Sequence, residues 1–214
     1  MRPLAFSYSP STVDEDAVAL NQTLVAAGDL ALDGALVTDD VAVFDDQQIV
    51  TITSAGNLSS RTFTVYGTDK NQIAISEALA GPNANTVSTT LNFKTVTRVA
   101  VSNSVGTNVR VGVSGLGGSM PYVLDQYLTP FNVTIGVFEY TGGTYELQYT
   151  FEDVFAPDFP TRDDQAWTTH PTMSAKTAVA DATLDNPVTA VRFVFTTAAD
   201  PQGIAGRILQ AGAR

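Results

Sequence analysis

The sequence has no cysteine among its 214 residues, which excludes disulfide bonds, thiolate metal sites and a thiol nucleophile. It has a single histidine, so any histidine-based chemistry has one candidate residue. No run of about 18 apolar residues occurs, and we therefore expect no membrane-spanning helix. The first residues lack the charged and apolar regions of a signal peptide, so we also expect no export signal.

Charge is scarce as well. Charged residues make up 15% of the chain, against roughly 25% in an average soluble domain. Their place is taken by Ser, Thr, Gly, Ala and Val, a composition typical of β-sheet proteins.

The charge that is present is mostly negative, with 22 acidic and 11 basic residues and a net charge of −11. This disfavours nucleic acid as a partner, because phosphate contacts need clustered Lys and Arg. The acidic residues of segment 1–46 form either a solvated face or a docking surface for a complementary partner. For docking, the candidate interface residues are seven of these acidic residues and the only tryptophan: Asp14, Glu15, Asp16, Asp39, Asp40, Asp45, Asp46 and Trp167.

Alternating apolar and polar residues recur along the chain and are separated by turn signals. Residues 62–80 predict a β-hairpin with Phe63 and Val65 on its buried face. Later strands place a series of valines in the core: Val96, Val99, Val101, Val109, Val111 and Val113. Short strands at this spacing predict an all-β fold, an antiparallel β-sandwich or jelly-roll.

The Gly-rich stretch 115–121 predicts a flexible joint between two sandwich domains in tandem, residues 1–118 and 119–214. In the first domain, turns are expected at Asp33-Gly34 and Asp39-Asp40. Residues 13–27 also fit a short helix as an alternative to strands. In the second domain, the turn 141–144 predicts a further hairpin.

Residues 131–137 before the turn 141–144 alternate, as do those after it, and both runs predict buried faces. The buried faces are expected from Phe131, Val133, Ile135 and Val137, from Tyr145, Leu147, Tyr149 and Phe151, and from Val191, Phe193 and Phe195 further on. A loop rich in Pro and Asp, residues 156–171, follows and contains Trp167.

Candidates for chemistry are few. A serine-type triad would have to use His170, which we expect instead in an exposed loop or an interface. Paired carboxylates for glycoside hydrolysis are available in Glu139, Glu146, Glu152 and Asp153. Glu146 and Glu152 share one strand face, opposite Leu147 and Tyr149, which favours a solvated face. The acidic pairs lack the spacing of a calcium loop, so we expect no metal. Together with the readings of His170 and the carboxylates, this leads us to expect no catalytic residue and no cofactor.

Carbohydrate binding is the remaining possibility for a site, since an aromatic face can stack on a sugar ring. The candidates for stacking are Tyr145, Tyr149 and Trp167, although aromatic residues at strand parity are more often part of a core.

Five motifs in Val50–Gly115 resemble a stretch found in structural proteins of tailed-phage and prophage virions. They are ITSAGN (Ile52–Asn57), TFTVYGTDKN (Thr62–Asn71), GPNANTV (Gly81–Val87), FKTVTRVAVS (Phe93–Ser102) and VRVGVSG (Val109–Gly115). The detailed resemblance covers about a third of the chain. It departs from the commoner pattern at Asn71-Gln72, where a glycine is expected.

The resemblance implies a non-enzymatic structural protein of a virion, made in the bacterial cytoplasm. A head decoration or cement protein is expected first, braced on the major capsid protein or other virion proteins and assembled as a homo-oligomer. A neck, tail or fibre-attachment protein is the alternative. A recognition module that binds a host glycan is the second alternative, and neither nucleic acid nor membrane is an expected partner.

Overall fold

The computed structural model is nearly all β, with antiparallel sheets packed together as in a β-sandwich. It describes residues 3–155 and 167–213. The chain forms two compact units, the first made of residues 10–117 and the second of residues 1–9 and 118–214. The first nine residues thus belong with the C-terminal half, so residues 10–117 are inserted into the second unit along the chain.

The first unit is built on one antiparallel sheet of eight strands. Their order is β2-β9-β5-β8-β6-β7, with β3 beside β8 and β4 beside β5. The strands are β2 (Asp14–Leu24), β3 (Gly28–Asp29), β4 (Val37–Thr38), β5 (Val41–Ser54), β6 (Thr62–Thr68), β7 (Ala74–Ala80), β8 (Thr86–Val101) and β9 (Val105–Val113).

One hydrophobic cluster fills the first unit. The six valines expected in the core from β8 and β9 are all buried, as are Phe63 and Val65 of β6. The alternative helix at residues 13–27 is wrong, because Asp14–Leu24 is a strand paired with β9. Its buried residues Ala17, Val18 and Ala19 join this cluster, where a register shift in the pairing accommodates them.

The predicted hairpin is confirmed as the pair β6 and β7, with Thr62 opposite Ala80 and Thr68 opposite Ala74. Glu77 lies on the same face of β7 as the partly buried Ile75 and Leu79. Its carboxylate accepts hydrogen bonds from the backbone N–H groups of Thr90 and Leu91 and from the Thr90 hydroxyl. Glu77 therefore provides a hydrogen-bond acceptor for backbone donors of β8.

The turn between β6 and β7 is organised by Asp69, which is buried. Its Oδ1 accepts from the backbone N–H groups of Asn71 and Ile73. Gln72 adopts a left-handed backbone conformation with φ of 63°. The glycine expected near this position therefore corresponds to a real conformational demand, which glutamine meets here at a steric cost.

The second unit is built on two antiparallel sheets, of order β1-β17-β12-β15 and β10-β16-β13-β14, with β11 also beside β16. A 3-10 helix, Pro171–Met173, follows β14. The strands are β1 (Leu4–Tyr8), β10 (Gly117–Gly118), β11 (Tyr122–Val123), β12 (Thr129–Gly142), β13 (Thr144–Thr150), β14 (Thr168–Thr169), β15 (Ala180–Leu184), β16 (Ala190–Thr197) and β17 (Gly203–Ala213).

The hairpin predicted at residues 141–144 is wrong. Strand β12 pairs with β15 and β17, whereas β13 pairs with β14 and β16, so the chain crosses here from one sheet to the other. Gly143 has φ of 81°, and a Cβ on it would lie 2.8 Å from the Thr197 carbonyl oxygen. Glycine thus permits the sharp turn at which the chain passes between the sheets. The local sequence at this turn also fits a hairpin.

The expected buried faces of the second unit are confirmed in most positions. Phe131, Val133, Ile135 and Val137 of β12 are buried, as are Val191, Phe193 and Phe195 of β16. Tyr145 and Leu147 are also buried, but Tyr149 is only partly buried and Phe151, beyond the end of β13, is 66% exposed.

The stretch 115–121, expected to be a flexible joint, is hydrogen bonded at both ends. The Ile49 N–H donates to the Leu116 carbonyl in the first unit, and the Ser119 N–H donates to the Phe193 carbonyl in the second. Gly117 and Gly118 are buried. The glycines here allow close backbone approach, since a Cβ on Gly117 would lie 2.1 Å from the Gln47 carbonyl oxygen.

Replacing Gln72 by glycine is expected to raise the free energy of unfolding by about 0.5 kcal/mol. The substitution relieves the left-handed backbone, and the greater entropy of glycine in the unfolded chain offsets part of the gain. Urea unfolding of Gln72→Gly and of the matched Asn71→Gly variant measures the effect. Equal destabilisation of both variants would contradict the claim that the Gln72 backbone is strained.

Replacing Gln48 by methionine is expected to raise the free energy of unfolding by about 1 to 3 kcal/mol. Gln48 is fully buried in β5, and neither its amide oxygen nor its amide nitrogen has a hydrogen-bond partner within residues 3–155 and 167–213. The matched control is Gln22→Met, because the Gln22 amide makes two hydrogen bonds to the Ala31 backbone. In thermal denaturation, the melting temperature of Gln48→Met should rise and that of Gln22→Met should fall. A lower melting temperature for Gln48→Met would contradict the prediction.

Candidate functional site

The acidic candidate residues lie at three places in the first unit. Asp14, Glu15 and Asp16 begin β2, Asp39 and Asp40 form the turn between β4 and β5, and Asp45 and Asp46 lie within β5. Each place has its own local surroundings.

At the start of β2, the acidic side chains interact with one another and with a base. Glu15 forms an ion pair with Arg110 of β9. A side-chain hydrogen bond with Asp14, together with desolvation, raises the pKa of Asp16. The Asp14 carboxylate also accepts a hydrogen bond from the Asp16 backbone N–H. Asp14, Glu15 and Asp16 therefore make local contacts that stabilise the start of β2.

Asp39 and Asp40 have positive φ angles of 51° and 61° and link Thr38 to Val41 directly. Two consecutive left-handed residues make a type I′ hairpin turn, where Asp is one of the few tolerated side chains. The turn predicted at Asp39-Asp40 is confirmed, and its geometry exposes both carboxylates.

Asp45 and Asp46 lie beside a basic residue of the neighbouring strand. The Lys94 ammonium group donates to the backbone carbonyls of Phe44 and Asp45. The Asp45 side chain is exposed and that of Asp46 is partly buried.

Trp167 lies in the second unit and is only 7% exposed. The Arg192 guanidinium covers its ring at 4.3 Å from the ring centre, and Val154 and Ala190 pack nearby. Arg192 in turn donates from Nε to the Gln148 side-chain oxygen over 2.7 Å. Trp167 is therefore part of the packing of β16 and does not offer an exposed ring to a sugar or a partner. The rest of the predicted Pro- and Asp-rich loop, residues 156–166, lies outside the described residues.

Of the two positions expected for His170, an exposed loop or an interface, the exposed loop is wrong, because His170 is only 7% exposed. Its Nδ1 accepts from the Thr172 backbone N–H at 3.3 Å, which caps the 3-10 helix, and its Nε2 lies 3.3 Å from the Thr183 carbonyl oxygen. This pattern suits the neutral tautomer with its proton on Nε2. Both ring nitrogens are engaged with the backbone, so His170 has a structural role in this geometry.

The carboxylates considered for glycoside hydrolysis are spread over different elements. Glu139 lies on β12, Glu146 on β13, and Glu152 and Asp153 beyond the end of β13. Glu146 accepts hydrogen bonds from the Gln148 amide and the Thr169 hydroxyl. Asp153 accepts from the Phe155 backbone N–H, which shapes the chain after the strand.

Of the tyrosines considered for sugar stacking, Tyr145 is fully buried and belongs to the core. Its hydroxyl donates to the Ala178 carbonyl over 2.8 Å. Burial raises the pKa of Tyr145 to about 12. Tyr149 differs, because it is partly exposed and lines a cavity.

The second unit contains a cavity of about 240 Å³ with aromatic and acidic residues on its wall. Tyr149 and Phe151 contribute the aromatic rings, and Asp185 and Asn186 contribute polar groups. We call this the aromatic cavity. Phe151, Asp185 and Asn186 are not among the site residues expected from the sequence, although Asp-Asn-Pro at residues 185–187 is a turn signal that ends strand β15.

The first unit has a larger cavity, of about 380 Å³, with no aromatic residue on its wall. Hydroxyl and amide side chains such as Thr53, Asn85 and Asn108 line it, together with Arg110. Arg110 is already paired with Glu15.

Within residues 3–155 and 167–213, no three or more His, Asp or Glu side chains are gathered where they could hold a metal ion. The same part of the chain contains no helix of the length and hydrophobicity needed to span a membrane. Comparison with protein-family models gave no match, and comparison with curated protein sequences also gave none.

We expect the free energy of unfolding to fall as the pH rises from about 10 to about 12, because the folded state keeps Tyr145 protonated up to the higher value. The stabilising contribution of this raised pKa is present below pH 10 and is lost above it. Urea unfolding at pH 9, 10 and 11 should show a shallower decline for Tyr145→Phe than for the unchanged protein. The matched control is Tyr127→Phe, at an 85% exposed position. Identical slopes for all three proteins would contradict the prediction.

Proposed function

We propose that this chain is a structural protein of a tailed-phage virion and serves as a head decoration or cement protein that braces the capsid. The proposal starts from the resemblance of Val50–Gly115 to virion structural proteins. Its five motifs fall on strands β5, β6, β8 and β9 and on the turns beside them. These strands are neighbours in one sheet, so the resembling stretch corresponds to a coherent part of the first unit.

The observation that carries the docking role is the exposed mixture of acidic and apolar side chains on the first unit. Val13, next to Asp14, is 58% exposed, and Val43, close to Asp45, is 52% exposed. Exposed valines beside carboxylates suit a protein partner, because apolar area supplies affinity and charge fixes register.

The charge available for docking is not used up inside the described part of the chain. Two ion pairs of this part of the chain join Arg98 to Asp29 and Arg110 to Glu15. The carboxylates of Asp39 and Asp40 are exposed and take part in neither pair. A basic patch on a capsid protein is the complementary surface that such carboxylates favour.

A cement protein acts by burying area across neighbouring capsid subunits, and a stable contact needs more than about 1,000 Å². Several copies of the chain around a capsid symmetry axis would form a closed oligomer. A neck, tail or fibre-attachment position in the same particle is the second form of this proposal, and the two forms differ in copy number.

The copy number of this protein in purified particles from its source tests the proposal. Quantitative mass spectrometry against the major capsid protein is expected to give on the order of hundreds of copies per particle, as repeated capsid symmetry requires. A few copies to a few dozen would move the protein to the neck, tail or fibres. Absence from the particles would overturn the virion role.

The docking surface is tested on the same particles after the protein has been stripped and added back. The variant Asp39→Asn with Asp40→Asn keeps side chains that tolerate the left-handed turn and removes two charges. It is expected to rebind more weakly and with a smaller dependence on salt. The matched control, Glu139→Gln with Asp181→Asn, removes two charges from the second unit. Equal rebinding of both variants would contradict docking through the turn.

A further inference from the structure

The aromatic cavity has an apolar wall that is partly exposed and partly buried. Phe151 is 66% exposed, and its ring meets that of Tyr149 edge-on, with centres 5.7 Å apart and planes at 84°. The floor is apolar and includes Leu184 and Val188, both buried. A phenylalanine that lines a cavity and stays largely exposed keeps apolar surface in contact with water, and a ligand can cover that surface.

The backbone that carries Phe151 is fixed by Thr189. The Thr189 hydroxyl donates to the Phe151 carbonyl over 2.9 Å, and the Thr189 N–H donates to the Thr150 carbonyl over 2.9 Å. The Glu152 N–H donates to the Thr150 hydroxyl on the other side. The exposed ring is therefore attached to a constrained backbone. This reduces the conformational entropy that the protein loses when a ligand binds.

Polar groups lie on the wall of the same cavity, where β15 ends. Asp185 accepts from the Asn132 side-chain amide through Oδ1 over 3.2 Å, which orients the carboxylate. Within residues 3–155 and 167–213, the side-chain amide of Asn186 and the hydroxyl of Tyr149 make no hydrogen bond. A carboxylate oxygen, an amide and a hydroxyl are thus available at one cavity.

His170 also borders this cavity, but its two nitrogens are engaged by the backbone of Thr172 and Thr183. It contributes a fixed ring to the wall, and its ring packs edge-on to Tyr149 with centres 6.4 Å apart. The arrangement therefore favours binding without chemistry.

We propose that the aromatic cavity binds one pyranose sugar ring. A pyranose has an apolar C–H face that stacks on an aromatic ring and a rim of hydroxyl groups that hydrogen-bond to carboxylate and amide groups. Phe151 supplies the stacking surface, and Asp185 and Asn186 take the hydroxyl groups. The volume of about 240 Å³ suits a single ring, since pockets for larger, drug-sized ligands start at roughly 300 Å³.

This site is independent of the proposed virion role, because none of its residues belongs to the acidic candidates of the first unit. It also differs from the sugar platform expected from the sequence. Trp167 and Tyr145 are buried, and of the predicted aromatic residues only Tyr149 contributes to the cavity.

The test is a titration of the isotopically labelled full chain, followed by amide chemical shifts, with D-glucose, D-galactose, D-mannose and N-acetyl-D-glucosamine as separate probes. At least one sugar is expected to shift amides of residues 149–151 and 183–188 with a Kd of about 10 mM or tighter. Phe151→Ala and Asp185→Asn are each expected to weaken that binding about tenfold.

The matched controls are Phe155→Ala, at a 67% exposed position off the cavity wall, and Asp181→Asn on the exposed side of β15. Both are expected to bind as the unchanged protein does. Unchanged spectra with all four sugars at about ten times the expected Kd would overturn the proposal. So would binding that persists unchanged in both cavity variants or that shifts only amides elsewhere. If Phe151→Ala fails to fold, Asp185→Asn and Asp181→Asn decide the question alone.

Discussion

The second unit depends on aromatic packing between its two sheets. The Phe6 ring of β1 stacks on that of Phe193 of β16, with centres 4.4 Å apart, and the Tyr8 ring lies 5.4 Å from that of Phe195. Large aromatic side chains contribute much of the buried area in such a core, and their edge and face contacts add to it. Because these rings come from the two ends of the second unit's sequence, the core is complete only when β1 lies against β17.

The same packing explains why the chain crosses between sheets at Gly143 where the sequence favours a hairpin. Tyr140 and Tyr145 flank the crossing, with ring centres 6.1 Å apart, and Tyr145 reaches the rings of both Phe193 and Phe195. Tyr145 contacts these two rings within its own sheet, whereas the crossing places β12 beside β17 and β15 in the other sheet. That other sheet carries Phe6 and Tyr8, whose rings pack against Phe193 and Phe195. Local turn chemistry was the same for both outcomes, so long-range packing decided between them.

Sequence reasoning succeeded where period and local geometry agree. The alternation of valines in β8 and β9 identified buried positions, and Asp39-Asp40 identified a type I′ turn. It failed where partners are distant in sequence, as for β1, which pairs with β17. Alternation also could not show that β13 ends at Thr150, so Phe151 was assigned to a buried strand face although it lies one residue beyond the strand.

The candidate site was less predictable than the fold, for a similar reason. Trp167 and His170 attract notice because each occurs once, yet one is packed beneath Arg192 and the other caps a short helix. The aromatic cavity combines residues from near positions 150 and 185, and each looks ordinary in its own stretch of sequence. Only their meeting in three dimensions makes them a set.

The pairing of β1 with β17 has a consequence for synthesis on the ribosome. Leu4 pairs with Ile208, so about two hundred residues must be translated before β1 finds its partner. At roughly 5 to 20 residues per second this takes on the order of ten seconds or more. During that interval the first unit can fold, whereas the strand with Phe6 and Tyr8 has an open edge and uncovered rings. A chaperone that binds short apolar segments has its longest opportunity at this strand.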